Sequence, residues 1–305
     1  MKKFENKQTG VLSSAELKTR KGRVVYWLFF GVLVIASVFA LFPTIWTILT
    51  AFKETQEIYE KFTFFPSDMS PRHLLSRITE SWKVLQLGES LINTVFLSLG
   101  NLVFSVVVCG FAGYVLSKLK PRGSRLIFVL VVWTMMMPGQ MRMVPNYITM
   151  LHFPFAYDFG TGISLLDTYW PMWLGSAASA FNVVLFKNAF DGLSQSYTEA
   201  ARIDGCSNFG IFFRIMFPLS MPIIIFVSIG ALTGAWSDFF GPLLYLEQRV
   251  VTPLKLYRIQ GDASVKIEMS TRFMGYVFAS IPPFLIFAVF QKHIMGGINV
   301  GGVKG

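Results

Sequence analysis

The feature that most constrains this chain is a run of 29 residues, Val24–Phe52, without one charged side chain. A helix rises about 1.5 Å per residue, so about 20 apolar residues cross a hydrocarbon layer. The run is longer than the roughly 7–15 residue apolar centre of a secretory signal, and no clear small-x-small cleavage site follows it. It therefore predicts a retained transmembrane helix. Five more charge-poor runs follow, Ser90–Ser117, Leu126–Met141, Thr168–Phe186, Ile215–Ser237 and Phe273–Gln291. The expected fold is all-α and polytopic, with six transmembrane helices. Leu126–Met141 is short and ends in M-M-M-P-G-Q, where Pro138 and Gly139 are expected to break the helix within the membrane.

Composition agrees. Hydrophobic residues make up 53% and charged residues 14% of the 305, against about 25% charged in soluble domains. The net charge of +10 would suggest nucleic acid in a soluble protein. Here the cations are placed as topology signals. With both termini, 118–125 and 187–214 on one side, that side holds 16 Lys/Arg and the other 11. The short loop K-L-K-P-R-G-S-R is the clearest marker. Both termini are then cytoplasmic, and nucleic acid is not needed to explain the charge. The expected organisation is a cytoplasmic tail at 1–23, with a possible helix start at Ser13. A six-span domain follows at 24–292, with a cytoplasmic loop at 187–218 between spans 4 and 5. A Gly-rich cytoplasmic tail closes the chain at 293–305.

That loop carries the most patterned polar stretch, Ser196–Pro218. Ser196 and Glu199 fit a capping box, S-x-x-E. Ala200 and Ala201 follow as good helix formers. Gly205 stands where only glycine enters a left-handed cap without penalty. Ser207 starts a second short helix carried by Phe209, Ile211, Phe212 and Ile215. The result is a helix–Gly–helix knuckle suited to docking against another protein, or, in the bland reading, merely closing a loop.

From Glu199 the chain reads E-A-A-R-I-D-G, nine further residues, then I-M-F-P. This resembles the EAA motif of ABC importer permeases, E-A-A-x3-G-x9-I-x-L-P, with Phe217 in place of Leu. The preceding L-S-Q-S-Y-T-E resembles the carbohydrate-uptake branch that includes MalG-type maltose permease subunits. So do M-M-P-G-Q with Val144–Pro145 and W-S-D-F-F-G-P-L at 236–243. The C-terminal G-G-I-N-V-G-G-V-K-G is also similar, with departures at Asn299, Val300 and Gly302. The resemblance spans about residues 25–305. It implies that the knuckle is a coupling helix seated on a cytoplasmic ATPase, with Glu199, Ala200, Ala201, Ile203, Asp204, Gly205, Phe209 and Phe213 at the contact. It further implies a second permease subunit, two ATPase copies, an extracytoplasmic binding protein and a sugar cargo. ATP and Mg would be held by the ATPases and no cofactor by this chain, which has no G-x-x-x-x-G-K-[ST] loop. The C-terminal tail would reach toward the ATPase dimer.

For the translocation path the candidates are Gln140, Asn146, Asn182, Trp236 and Asp238. Sugars pair with aromatic faces and with hydrogen-bonding amides and carboxylates, and an ionisable group at membrane depth points to function. Asp238 capping a helix, and Asn182 bonding between helices, are the structural alternatives. The methionines at 135–137, 141, 143 and 150 are expected to fill irregular gaps. Aromatics and prolines in 53–89 and 142–167 read as interfacial anchors or as a docking surface for an external partner. Cys109, Cys206, His73, His152 and His293 have no ligand spacing, and no catalytic set is recognisable, so the chain is not read as an enzyme. Importers of glycerol phosphodiesters or sugar phosphates share these motifs. An ion-coupled secondary transporter and a non-transporting membrane scaffold are the readings of other classes.

Overall fold

A computed structural model describes residues 19–60, 63–154, 162–261 and 267–295. The Ser13 helix start, the Gly296–Gly305 tail and the middle of the 151–167 segment lie outside the described residues. The chain forms two compact units, residues 1–79 with 268–274, and residues 80–267 with 275–305.

The smaller unit contains α1 (Arg20–Ala51), α2 (Thr55–Glu60) and the start of α3 (Pro71–Leu85). Thr19 caps α1, its hydroxyl accepting from the Gly22 N–H at 3.0 Å. Apolar side chains surround α1 on every face and are exposed, as a helix solvated by lipid requires. At its far end Phe42 and Trp46 pack against Phe64, with centroids 6.1 and 5.9 Å away. Lys53 lies over Trp46 and donates to the Thr63 carbonyl. Arg77 pairs with Glu268 at 3.3 Å.

The larger unit takes the end of α3 and then the long helix α4 (Gly88–Leu119). The helices α5 (Ser124–Met136) and α6 (Gly139–Leu151) meet at a 110° bend. Pro138 sits at that bend, where the sequence predicts a break. Then come α7 (Trp170–Ala177), α8 (Ala180–Asp191), α9 (Ser196–Ile203) and α10 (Asn208–Leu219). The last helices are α11 (Met221–Ser237), α12 (Phe240–Tyr245), α13 (Thr252–Gly261) and α14 (Met269–Met295), whose first residues, through Met274, belong to the smaller unit.

The core is built where α4 crosses α8. A Cβ on Gly113 would come within 2.7 Å of the Phe186 Cβ and 2.8 Å of the Lys187 backbone nitrogen, so only glycine permits this approach. Around it Tyr114, Phe186, Phe190, Ile211, Phe212 and Met216 are fully buried.

Three charge-poor runs form unbroken helices long enough to cross a membrane, α1, α4 and Met269–His293 of α14. The other three are bent or broken. Ile215–Ser237 begins inside α10 and turns by 85° at Ser220, so its straight part is Met221–Ser237. Thr168–Phe186, expected as one helix, is divided at Ala178–Ser179. No Pro or Gly marks that division. The Ser179 hydroxyl caps α8 by accepting from the Asn182 N–H at 3.4 Å. The Cys109 thiol donates to the Ala177 carbonyl at 3.1 Å that the break leaves open. Hydropathy alone does not register a capping serine inside an apolar run.

Candidate functional site

The knuckle is fixed from behind and open in front. Its first helix does not use the expected capping box. The chain is already helically turned at Gln195, so Ser196 lies inside α9 and lacks the extended backbone a cap requires. Ser194 Oγ accepts from the Ser196 N–H at 3.3 Å instead, and the Thr198 hydroxyl donates to the Gln195 carbonyl at 2.7 Å. Glu199 therefore stands exposed in the first turn, where a negative charge suits the helix dipole.

The stop is as expected. Gly205 has φ of +76°, its N–H bonds the Arg202 carbonyl, and the Cys206 N–H bonds the Ala201 carbonyl at 2.9 Å. This paired pattern closes the last turn and satisfies its carbonyls. Ser207 then caps α10, accepting from the Gly210 N–H at 3.2 Å.

The alanine pair divides between the two faces, with Ala201 buried in the core and Ala200 exposed beside Asp204. Ile211, Phe212 and Met216 enter the core, and the Phe212 ring meets Tyr114 and Phe111 at 5.4 Å. On the outward face Ile203 is 86% exposed, Phe209 62% and Phe213 49%.

Sequence reading missed the cluster that ties this knuckle to α4. Asp191 Oδ1 accepts from the Ser117 hydroxyl at 2.6 Å, and Oδ2 pairs with Lys187 Nζ at 2.6 Å. Lys118 Nζ donates to the Leu193 carbonyl at 2.6 Å. Partial burial works to raise the Asp191 pKa. The hydrogen bonds from Lys187 and Ser117, with the charges of Lys187 and Lys120, outweigh it and hold the carboxyl below its usual range. Lys187 and Asp191 are four apart on one helix face, the one signal in the sequence for this cluster.

The path candidates divide. Asn146, Asn182 and Asp238 line one cavity of about 860 Å³ between α4, α6, the α7–α8 break and α11. Gln140 is exposed in the first turn of α6 and lines no cavity described. Trp236 is buried and faces a different groove of about 850 Å³, with Phe239, Tyr257 and Tyr276. The cavity also collects Asn101, Ser105, Ser176, Ser179 and Tyr245, which the sequence did not single out. Ser176 Oγ donates to Asn101 Oδ1 at 2.9 Å. Asp238 caps α12, its Oδ1 accepting from the N–H groups of Phe240 and Gly241, both at 3.0 Å. Met135, Met136, Met137 and Met141 are exposed around the α5–α6 bend, rather than filling gaps within this chain.

At the end of this unit away from the knuckle, Asp167 acts as a clasp. Its Oδ1 accepts from the backbone N–H groups of Glu247, Gln248 and Arg249 at 3.1, 2.9 and 3.3 Å. Burial tends to raise its pKa, but those three donors and the Arg249 charge prevail and lower it. Among the described residues no group of His, Cys, Asp and Glu could hold a metal ion.

Comparison with known proteins adds three findings. The model of a family described as binding-protein-dependent transport system inner membrane component matches residues 105–299. The polygalacturonan/rhamnogalacturonan transport system permease protein YtcP of Bacillus subtilis (strain 168) is 28% identical over 301 residues, covering 93% of this chain and 100% of that protein. The arabinooligosaccharides transport system permease protein AraQ of the same organism is 30% identical over 290 residues, covering 93% and 96%. In the crystal structure of a bacterial ABC transporter involved in the import of the acidic polysaccharide alginate, one chain superposes with a TM-score of 0.73. That chain is 24% identical, with 90% of this chain and 98% of it covered, and shares the fold.

Proposed function

The chain belongs to the family of binding-protein-dependent transport system inner membrane components, and from that premise we propose that it is a permease subunit of an ATP-driven oligosaccharide importer. Six spans cross the inner membrane, counting the bent and broken helices as one each, with both termini and the knuckle in the cytoplasm. The 24–292 segment is the permease domain, and 1–23 and 293–305 are cytoplasmic tails. A second permease subunit completes the path, two copies of an ATPase hold ATP and Mg, and an extracytoplasmic binding protein delivers cargo. This chain itself catalyses nothing.

The observation that carries the reading is the two-faced knuckle. One face is locked into the core by Ile211, Phe212 and Met216, while Ile203, Phe209 and Phe213 project from the other. Interface energy concentrates in a few apolar and aromatic anchors of this kind. With Glu199, Ala200, Ala201, Asp204 and Gly205 shaping the loop, force applied to the anchors passes to α4 and α8 instead of bending the loop. Closure of the ATPases on ATP would draw the knuckles together and reshape the cavity, and hydrolysis would reset it.

Sugar cargo is supported by the relatives, named for arabinooligosaccharides and for polygalacturonan. It is supported too by a cavity that carries three amides, four hydroxyls and one carboxylate on an otherwise apolar wall, with Asn146, Asn182 and Asp238 as contacts. Gln140, exposed in the first turn of α6, and Trp236, in the neighbouring groove, flank that route. The test is the complex purified through this chain and placed in liposomes with its partners. ATP-dependent sugar uptake is expected, and Glu199→Lys should abolish it while insertion is normal. Undiminished uptake by that variant would refute the coupling role.

A further inference from the structure

The relatives leave the charge of the cargo open, since their names include both an acidic polysaccharide and arabinooligosaccharides. The cavity speaks to it. Its 21 lining residues include no Lys, Arg or His. The polar ones are the amides of Asn101, Asn146 and Asn182, the hydroxyls of Ser105, Ser176, Ser179 and Tyr245, and one carboxylate, Asp238. Arg142 lies one turn before Asn146 on α6 but does not line the cavity. Asp238 is exposed, and only its Oδ1 is used by the α12 cap. Among the described residues nothing donates to Oδ2, which lies beside Gly241 at the cavity wall.

An anionic sugar ring in this cavity would meet a like charge between low-dielectric walls, with no cation to pair it. A neutral sugar would meet acceptors and donors that match its hydroxyls. We infer that this half of the path selects uncharged oligosaccharides, and that Asp238 is the residue that excludes uronates and sugar phosphates. The inference rests on the cavity being the sugar route proposed above.

The experiment measures charge selectivity without knowing the cargo. In the full importer carrying Cys109→Ser and Cys206→Ser, Asn182→Cys puts one thiol on the cavity wall. It is labelled in liposomes with two methanethiosulfonate reagents of similar size, one bearing trimethylammonium and one sulfonate, each normalised to its rate with a free thiol. The cationic reagent is expected to react about tenfold faster or more, as a difference of about 1.4 kcal/mol gives. Asp238→Asn should bring the two rates together, because the amide oxygen still accepts the α12 cap bonds and only the charge is lost. Equal rates before that substitution, or a ratio that it leaves unchanged, would overturn the role of Asp238. ATP-driven uptake of a trigalacturonate by the intact importer would overturn it too. Failure of either reagent to reach the thiol would instead remove the cavity from the path, and the route itself would fall.

Discussion

Phe209 lies flat on Phe111, ring centroids 5.0 Å apart and planes 4° from parallel. One residue belongs to the knuckle and the other to α4, so one ring face rests on a membrane helix while the rest of Phe209 remains open. Such a ring can serve as a contact for a partner and as a support on its own helix. The two roles separate by substitution. Phe209→Ala should weaken ATP-driven uptake at least tenfold with little change in stability, since a mostly exposed ring contributes little to the core. Phe111→Ala should lower both, because it also removes the edge contact with buried Phe212 at 5.4 Å. Uptake and the thermal unfolding midpoint of the purified complex, measured together, check both.

Ile203 makes a sharper test. At 86% exposure it is an apolar side chain with almost nothing of its own chain against it. Ile203→Asp should leave the melting midpoint within experimental scatter and abolish co-purification of the ATPase. Retention of the ATPase at the normal ratio would show that the knuckle docks through other residues.

Gly113 governs the crossing of α4 and α8. Alanine is favoured over glycine inside a helix by about 1 kcal/mol, so propensity alone predicts stabilisation by Gly113→Ala. The new methyl would meet Phe186 Cβ and the Lys187 backbone nitrogen within 3 Å, and backbone cannot rotate away. The helices must separate, at a typical overpacking cost of about 1–3 kcal/mol. The melting midpoint of Gly113→Ala should fall. Gly31→Ala, where nothing of the chain lies within 4 Å, should not lower it.

These contacts differ in how far the sequence announced them. The charge-free runs named the helices because lipid demands length and apolarity of any single span. Pro138 named its bend because a proline removes a backbone donor wherever it stands. Gly205 named the knuckle's stop because few other residues adopt a φ of +76°. The α7–α8 break stayed hidden, since Ala178 and Ser179 are as compatible with a helix as with its end. Only the approach of Cys109 and the Ser179 cap decide between them. The cavity was half legible. Asn146, Asn182 and Asp238 stand out as polar groups at spans, whereas Asn101, Ser105 and Ser176 look like ordinary helix-face polar residues until three helices converge on them. Trp236 looked equivalent to Asp238 at a spacing of two, yet that spacing turns the two side chains about 200° apart on a helix, toward different cavities.

Asp191 offers a prediction in pH. Its folded pKa is held below the ordinary carboxylate value of 3.8 by Lys187, Ser117 and Lys120, against the opposing effect of burial. A depressed carboxylate contributes stability that is present above the unfolded pKa and lost as pH falls through the folded one. Wild type should therefore exceed Asp191→Asn in melting midpoint at neutral pH, and the gap should close as pH drops below about 4. The side chain is 40% exposed, so solvent screening keeps the gap small, and added salt should narrow it. Uptake should suffer more than stability. The same carboxylate joins Ser117 at the end of α4 to the segment entering the knuckle, so removing its charge loosens the link through which force would pass. Melting curves of the complex across the acid range, set beside uptake at neutral pH, test both halves. A gap independent of pH would assign Asp191 to packing alone, and full uptake by Asp191→Asn would show that the knuckle drives α4 through its aromatic contacts instead.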